Sequence, residues 1–274
     1  PAGQQNILLI RNQAPMTLSI VGPLPMVSSI SVPSAWMGFD RIDFEVAGRN
    51  CLLVIPKHAA KNNPWIWRTE FFGHEPQGDS MLLAKGYHVA YMDIYNMYGA
   101  PAGLDLMDKF YAFLTTEKQL HKKVVLEGFS RGGLFAFNWT ARNPNQVACI
   151  YVDAPVLDFK SWPGGKFAGK GSPDDWSQLL KIYGLTEQQA MAYTLNPIDN
   201  LEPLAKAKIP IISVCGDADK IVPFTENTAI AAQRYKKLGG KMRVITKPGV
   251  DHHPHSLKDP TPIVQFILQN TLAN

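Results

Sequence analysis

Lys122-Lys123-Val124-Val125-Leu126-Glu127-Gly128-Phe129-Ser130-Arg131-Gly132-Gly133-Leu134-Phe135-Ala136-Phe137-Asn138-Trp139 reads as strand, sharp turn and helix. A short β-branched and leucine run ends in Gly-Phe-Ser-Arg-Gly-Gly, and the chain is then apolar at nearly every position up to Asn143-Pro144. A helix with apolar groups on all sides is buried rather than laid on a surface. The turn before it holds one small nucleophile, Ser130, between glycines.

A serine in the pattern G-x-S-x-G, with Gly128 and Gly132 at the flanks, is the signature of a nucleophile elbow. Strand and helix approach so closely there that a Cβ at either flank would clash. The turn lifts the Ser130 hydroxyl above the strand ends. It also points the first helical N–H groups, that of Arg131 above all, at the same spot. Those donors have no partner within the helix and sit at its positive pole, which suits a developing oxyanion.

Working outward, apolar strands alternate with helices. Residues 41–46 alternate apolar and polar, 47–50 form a turn, and 51–55 are continuously apolar, which predicts an antiparallel hairpin leading into a central strand. Further strands are expected at 87–92, 124–127, 147–152, 209–214 and 242–246. Helices are expected at 103–118 and 224–238, with a final helix capped by Thr261 and begun by Pro262. Such alternation predicts a mainly parallel sheet covered on both faces, with ligands at the carboxyl ends of its strands. Residues 6–10 and 16–21 have strand character but are broken up by Pro15, Pro23, Pro25 and Pro33, so residues 1–39 read as an N-terminal extension of one domain spanning 1–274. Residues 156–208 read as an insertion forming a lid, with helices near 175–183 and 186–193, the second opened by a capping box.

Composition bounds the function. The 274 residues are 46% hydrophobic and 18% charged, enough for one substantial core, and the net charge of +4 is carried by scattered lysines. No basic run alternates with aromatics, so no nucleic-acid partner is expected. No apolar stretch is long enough for a bilayer-spanning helix, and no membrane partner is expected. Cys51, Cys149 and Cys215 each fall within a predicted strand and read as buried free thiols. A start at Pro1 points to a removed signal peptide, hence a periplasmic or secreted protein, or to a trimmed chain that is otherwise cytoplasmic.

Two later segments complete a candidate constellation. Gly216-Asp217-Ala218-Asp219-Lys220-Ile221-Val222-Pro223 places two acids just past a strand, and Gly249-Val250-Asp251-His252-His253-Pro254-His255 supplies histidines after the last one. The order Ser, acid, His is the one a nucleophile-elbow fold uses. A serine hydroxyl is a poor nucleophile until a neutral imidazole takes its proton, and a carboxylate fixes that ring and stabilises the imidazolium. The histidines 252, 253 and 255 match no ordinary zinc spacing, so neither metal nor cofactor is expected.

Together these three segments resemble the α/β-hydrolase superfamily, in its branch near prolyl-oligopeptidase-like and dienelactone-hydrolase-like esterases, over roughly residue 40 to the C-terminus. The resemblance implies an α/β-hydrolase fold and a serine hydrolase. Its Gly-x-x-Asp-x-x-Val-Pro context selects Asp219, and its glycine-containing turn selects His252, with His253 as the neighbour that could displace it. The chain departs from many relatives in lacking His-Gly after the third strand. The stretch Pro64-Trp65-Ile66-Trp67-Arg68 stands where an oxyanion turn is expected, so Trp67 is taken as the second backbone donor beside Arg131. With Ser161-Trp162-Pro163-Gly164-Gly165, the same stretch is similar to hydrolases grouped with bacterial carbohydrate esterases. The two tryptophans with Arg68 read either as the floor of a pocket or as a packing plug with a surface ion pair to Glu70, and Trp162 either as a ligand contact or as packing of the lid onto the core, with the lysines solvated. On the pocket reading Trp65, Arg68, Lys160, Trp162 and His253 are the expected substrate contacts, with tryptophan faces for sugar rings and cations for an acidic glycan. The implied substrate is a small-molecule or glycan ester, either an O-acetyl group or a uronate methyl ester. A prolyl-oligopeptidase-like peptidase and a non-catalytic binding protein on the same fold are the rivals.

Overall fold

The structure, a computed structural model, describes residues 32–271, so the strand segments read at 6–10 and 16–21 lie outside the described residues. β1 (Val32–Trp36) pairs antiparallel with β2 (Phe39–Val46), and β2 with β3 (Arg49–Ile55). The β2–β3 connection is a two-residue turn at Ala47 and Gly48, both at positive φ (52° and 75°), the geometry whose twist matches a hairpin. β4 (Trp65–Arg68), α1 (Gln77–Ala84), β5 (His88–Met92), α2 (Pro101–Thr116), β6 (Val124–Phe129), α3 (Gly132–Arg142) and β7 (Val147–Asp153) follow. The insertion then carries α4 (Pro173–Tyr183), α5 (Glu187–Met191) and α6 (Glu202–Lys206). β8 (Ile211–Gly216), α7 (Thr228–Lys237), β9 (Met242–Lys247) and α8 (Thr261–Thr271) close the chain.

The strands form one sheet in the order β1-β2-β3-β5-β4-β6-β7-β8-β9, antiparallel as far as β5 and parallel from β5 to β9. This is the α/β-hydrolase fold, with helices on both faces and an antiparallel N-terminal edge. Alternate side chains leave the central strands on opposite faces. In β4, Trp65 and Trp67 enter the core built with Phe110 of α2 and Trp139 of α3, whereas Ile66 joins Leu82 of α1 and Ile263, Val264 and Ile267 of α8.

β4 corrects the sequence reading. Residues 65–68 are not a turn but a fully buried strand between β5 and β6, so the loop that leads from this strand toward the elbow begins at Thr69 rather than at Ile55. A smaller shift occurs at α8. Thr261 is already helical, Ile263 and Val264 donate to the Pro260 carbonyl, and the Asp259 carboxylate accepts the Thr261 N–H (3.0 Å). The helix expected over 224–238 is a short 3₁₀ turn at Phe224–Glu226 followed by α7. Thr186 forms the expected capping box with Gln189. The three cysteines are buried free thiols, and none of the helices among the described residues is long and apolar enough to cross a membrane.

Candidate active site

The elbow is built by steric exclusion. A Cβ on Gly128 would lie 2.7 Å from the Gly132 carbonyl oxygen, and one on Gly132 would lie 2.9 Å from Thr69 Oγ1, so only glycine lets β6 run straight into α3. Ser130 itself sits at φ 48°, a left-handed conformation that costs a non-glycine residue free energy unless its surroundings hold it. Its surroundings do so. Ser130 N–H donates to the Asp153 carbonyl (2.9 Å), and its own carbonyl accepts from Gly133 (3.0 Å) and Val156 (2.9 Å). Hydrogen bonds into the turn start at Gly133 and Leu134, which leaves the Arg131 and Gly132 amides ahead of the helical ladder, at its positive end.

The loops after β8 and β9 converge on Ser130. His252 Nε2 lies 3.0 Å from Ser130 Oγ, and His252 Nδ1 lies 2.7 Å from Asp219 Oδ2. The other oxygen, Asp219 Oδ1, accepts the N–H groups of Ile221 (2.9 Å) and Val222 (2.8 Å), which fixes the carboxylate plane. Gly216 makes the approach possible, because a Cβ there would sit 2.1 Å from the Val250 carbonyl oxygen. Asp217 plays a different part: its carboxylate accepts the Gly249 N–H (2.6 Å) and pins the histidine loop. Of the alternatives left open by sequence, Asp219 rather than Asp217, and His252 rather than His253, stand in line with the serine. Both His252 and Asp219 are buried, so their hydrogen bonds act in a medium of low effective dielectric.

Several expected substrate contacts are elsewhere. Trp65 and Trp67 are fully buried and stacked on each other (ring centroids 5.6 Å), and Trp65 Nε1 donates to the His121 carbonyl (2.7 Å). Trp67 cannot be an oxyanion donor, because its strand is paired on both sides, with Ala90 and with Leu126. Arg68 is also buried, and is held by Asp79 (2.7 Å) and Glu127 (3.2 Å) over the Phe129 ring. It is shut away from solvent at 1% exposure. It donates to the carbonyls of Phe71 (3.1 Å) and Glu75 (3.3 Å), tying the loop after β4 to the nucleophile strand. One cation serves two carboxylates there, and burial first, then Asp79 nearby, pushes Glu127 well above the usual carboxylate range against the pull of Arg68. Lys160 is tied within the insertion, to the Tyr193 carbonyl (3.1 Å) and Asp158 (3.9 Å). Trp162 is half-buried against the apolar cluster of the insertion, near Tyr98. His253 is exposed, with its ring 5.0 Å from that of His252.

Sequence reasoning missed the surroundings of the Arg131 side chain. Its guanidinium lies 4.1 Å from the centroid of Tyr95, a ring that is 56% exposed, and also faces Phe71 and Tyr98. Its polar neighbours are Asn96 (3.2 Å), Glu70 (3.4 Å) and Asp175 of the insertion (3.7 Å). Burial raises the Glu70 carboxyl to about 7 despite Arg131. The residue after the serine thus gathers the loops that follow β4 and β5 together with the insertion. The signal for Tyr95 was its place just beyond the carboxyl end of β5.

A second histidine group adjoins the first. His74, from the loop after β4, meets His253 and His255 at ring-centroid distances of 5.9 and 5.4 Å. Burial, with His255 beside each, lowers the pKa of both His74 and His253. His255 Nδ1 lies 2.9 Å from Asp153 Oδ1, and Asp153 Oδ2 accepts the Ser256 N–H (2.8 Å).

The sequence model of the prolyl oligopeptidase family matches residues 84–271. No curated protein matches the sequence. Among solved structures, acetyl xylan esterase 1 from Thermoanaerobacterium sp. superposes with a TM-score of 0.62 at 17% identity, over 90% of this chain and 88% of that one. A putative lipase from Acinetobacter baumannii gives 0.56 at 15% identity, over 86% and 93%. A puromycin hydrolase gives 0.61 at 16% identity, over 89% of this chain but 39% of that one, so this chain spans about two fifths of its length. At such identities the likeness is one of fold.

Proposed function

The chain belongs to the prolyl oligopeptidase family of serine hydrolases, and from that premise we propose that it cleaves carboxylic esters of carbohydrates through a covalent acyl-enzyme. The observation that carries the chemistry is the buried line Asp219, His252, Ser130, with 2.7 and 3.0 Å between its members. In this reading His252 Nε2 takes the Ser130 proton as Oγ attacks the ester carbonyl, and then returns it to the leaving alcohol. Asp219 holds the Nδ1–H tautomer and stabilises the imidazolium. The Arg131 amide meets the oxyanion. The second donor comes from the segment 70–71, which packs beside the start of α3 where a Cβ on Gly132 would also lie 3.3 Å from Glu70 Cβ.

The exposed Tyr95 ring over Arg131, rimmed by Asn96 and Asp175, supports a sugar substrate. A pyranose presents an apolar face to stack on such a ring and hydroxyls for the polar rim. This platform replaces the buried Trp65 and Trp67 in the reading of specificity. An O-acetyl sugar or a uronate methyl ester remains the favoured substrate. The test is turnover of acetylated xylan, methylated pectin, p-nitrophenyl acetate and a peptide p-nitroanilide by the purified chain. Ester cleavage without peptide cleavage is expected, whereas cleavage of the anilide alone would overturn the ester reading in favour of a peptidase.

A further inference from the structure

Four of the seven histidines, 74, 252, 253 and 255, lie side by side, and only His252 is used by the acyl-transfer reading. The ligand nitrogens of the other three all lie within 4.8 Å of one another. We propose that His74, His253 and His255 form a binding site for a divalent metal ion of the zinc class, which clips together the two loops that flank Ser130.

Three features carry this. Imidazole is the ligand type that suits zinc and its neighbours in the transition series, and three histidines with a solvent-filled fourth position make a recurrent tetrahedral set. A metal-ligating histidine usually gives its second ring nitrogen to a carboxylate, which fixes the tautomer and turns the free nitrogen to the ion. Asp153 does this for His255: with Nδ1 bound to the carboxylate at 2.9 Å, Nε2 is the nitrogen left for an ion. Asp153 is fully buried and is itself held by the Ser256 amide, so the orienting group is rigid. Finally, the rings differ in freedom. His255 is buried, whereas His74 and His253 are exposed and can turn inward. Tetrahedral coordination at zinc–nitrogen distances near 2.0–2.1 Å brings nitrogens to roughly 3.4 Å of one another, a closure that small rotations of the two exposed rings supply.

Sequence spacing concealed the site. Residues 253 and 255 sit on one short loop and match no zinc pattern, and the third ligand arrives from the loop after β4, 179 positions earlier than His253. Binding would join the 69–76 loop, which abuts the elbow, to the loop that carries His252. An ion that binds only the folded chain stabilises it by RT ln(1 + L/Kd), where L is the free ion concentration, so its unfolding temperature rises with L.

The experiment is calorimetric titration of the tag-free, metal-stripped chain with zinc chloride, with cobalt(II) as a spectroscopic reporter and thermal unfolding in parallel. One equivalent is expected to bind, with a tetrahedral cobalt spectrum and a higher unfolding temperature. His74→Ala and, separately, His253→Ala should weaken zinc binding about 100-fold or more while the metal-free variants unfold at the wild-type temperature. Failure of the wild type to bind zinc, or binding of unchanged affinity in both variants, would overturn the proposal.

Discussion

Two buried histidine–aspartate pairs stand three residues apart on one loop, and they differ in what the far ring nitrogen meets. His252 leans on Asp219 from the end of β8 and turns Nε2 to Ser130. His255 leans on Asp153 from the end of β7 and turns toward His74 and His253. The orienting device is the same in both: a carboxylate at a strand end, itself held by backbone amides, locks the ring. The partner on the other side decides whether the pair moves a proton or is set to hold a cation. A histidine–carboxylate contact alone therefore does not identify a catalytic residue; the serine at 3.0 Å does.

The contrast is sharpest under parallel substitution of the two acids. Asp219→Asn is expected to cut kcat by about 10⁴ with the fold intact, because the amide favours the wrong tautomer of His252. Asp153→Asn should lower kcat far less and instead cost about 1–3 kcal/mol of stability, as buried hydrogen bonds to His255 and Ser256 lose their charged acceptor. Steady-state kinetics and urea unfolding of both variants check this, and equal losses of kcat would erase the distinction between the pairs.

A third buried carboxylate, Glu70, probes the same neighbourhood from the Arg131 side, with an effect spread over a pH window rather than confined to one step. Its carboxyl is raised to about 7 from 4.5, chiefly by burial. An acid whose folded pKa is raised binds more protons folded than unfolded, so its contribution to stability is fullest below 4.5 and declines as pH rises toward 7. The slope is about 1 kcal/mol per pH unit across that window, and Glu70→Gln should flatten it in unfolding curves. An unchanged slope would mean that Arg131 already keeps Glu70 ionised.

Much of this was legible in the chain and some was not, for physical reasons. The elbow could be read because its constraints are local: Gly128, Ser130 and Gly132 are dictated by one turn whose atoms nearly touch. The acid and base could be placed after the right strands because Gly216 and Gly249 mark those turns. β4 could not be read, because Trp65-Ile66-Trp67-Arg68 is four residues long and buried on both faces, and its terminal charge is balanced by Asp79 of α1 and Glu127 of β6. An arginine among tryptophans therefore resembled a pocket floor when it was a buried staple. Such a staple is costly to desolvate and costly to break, and neither cost shows in local sequence. Tyr95 and His74 escaped notice for a related reason, since each gains its meaning only from side chains brought in from other loops.

The central claim is that Ser130 is made nucleophilic by His252 and Asp219, and active-site labelling tests it most directly. A fluorophosphonate probe should modify the wild-type chain once, with the added mass on the peptide that contains Ser130. Ser130→Ala should take up none, and His252→Ala should react far more slowly. Absence of labelling in the folded wild type, or labelling that persists in Ser130→Ala, would contradict the account.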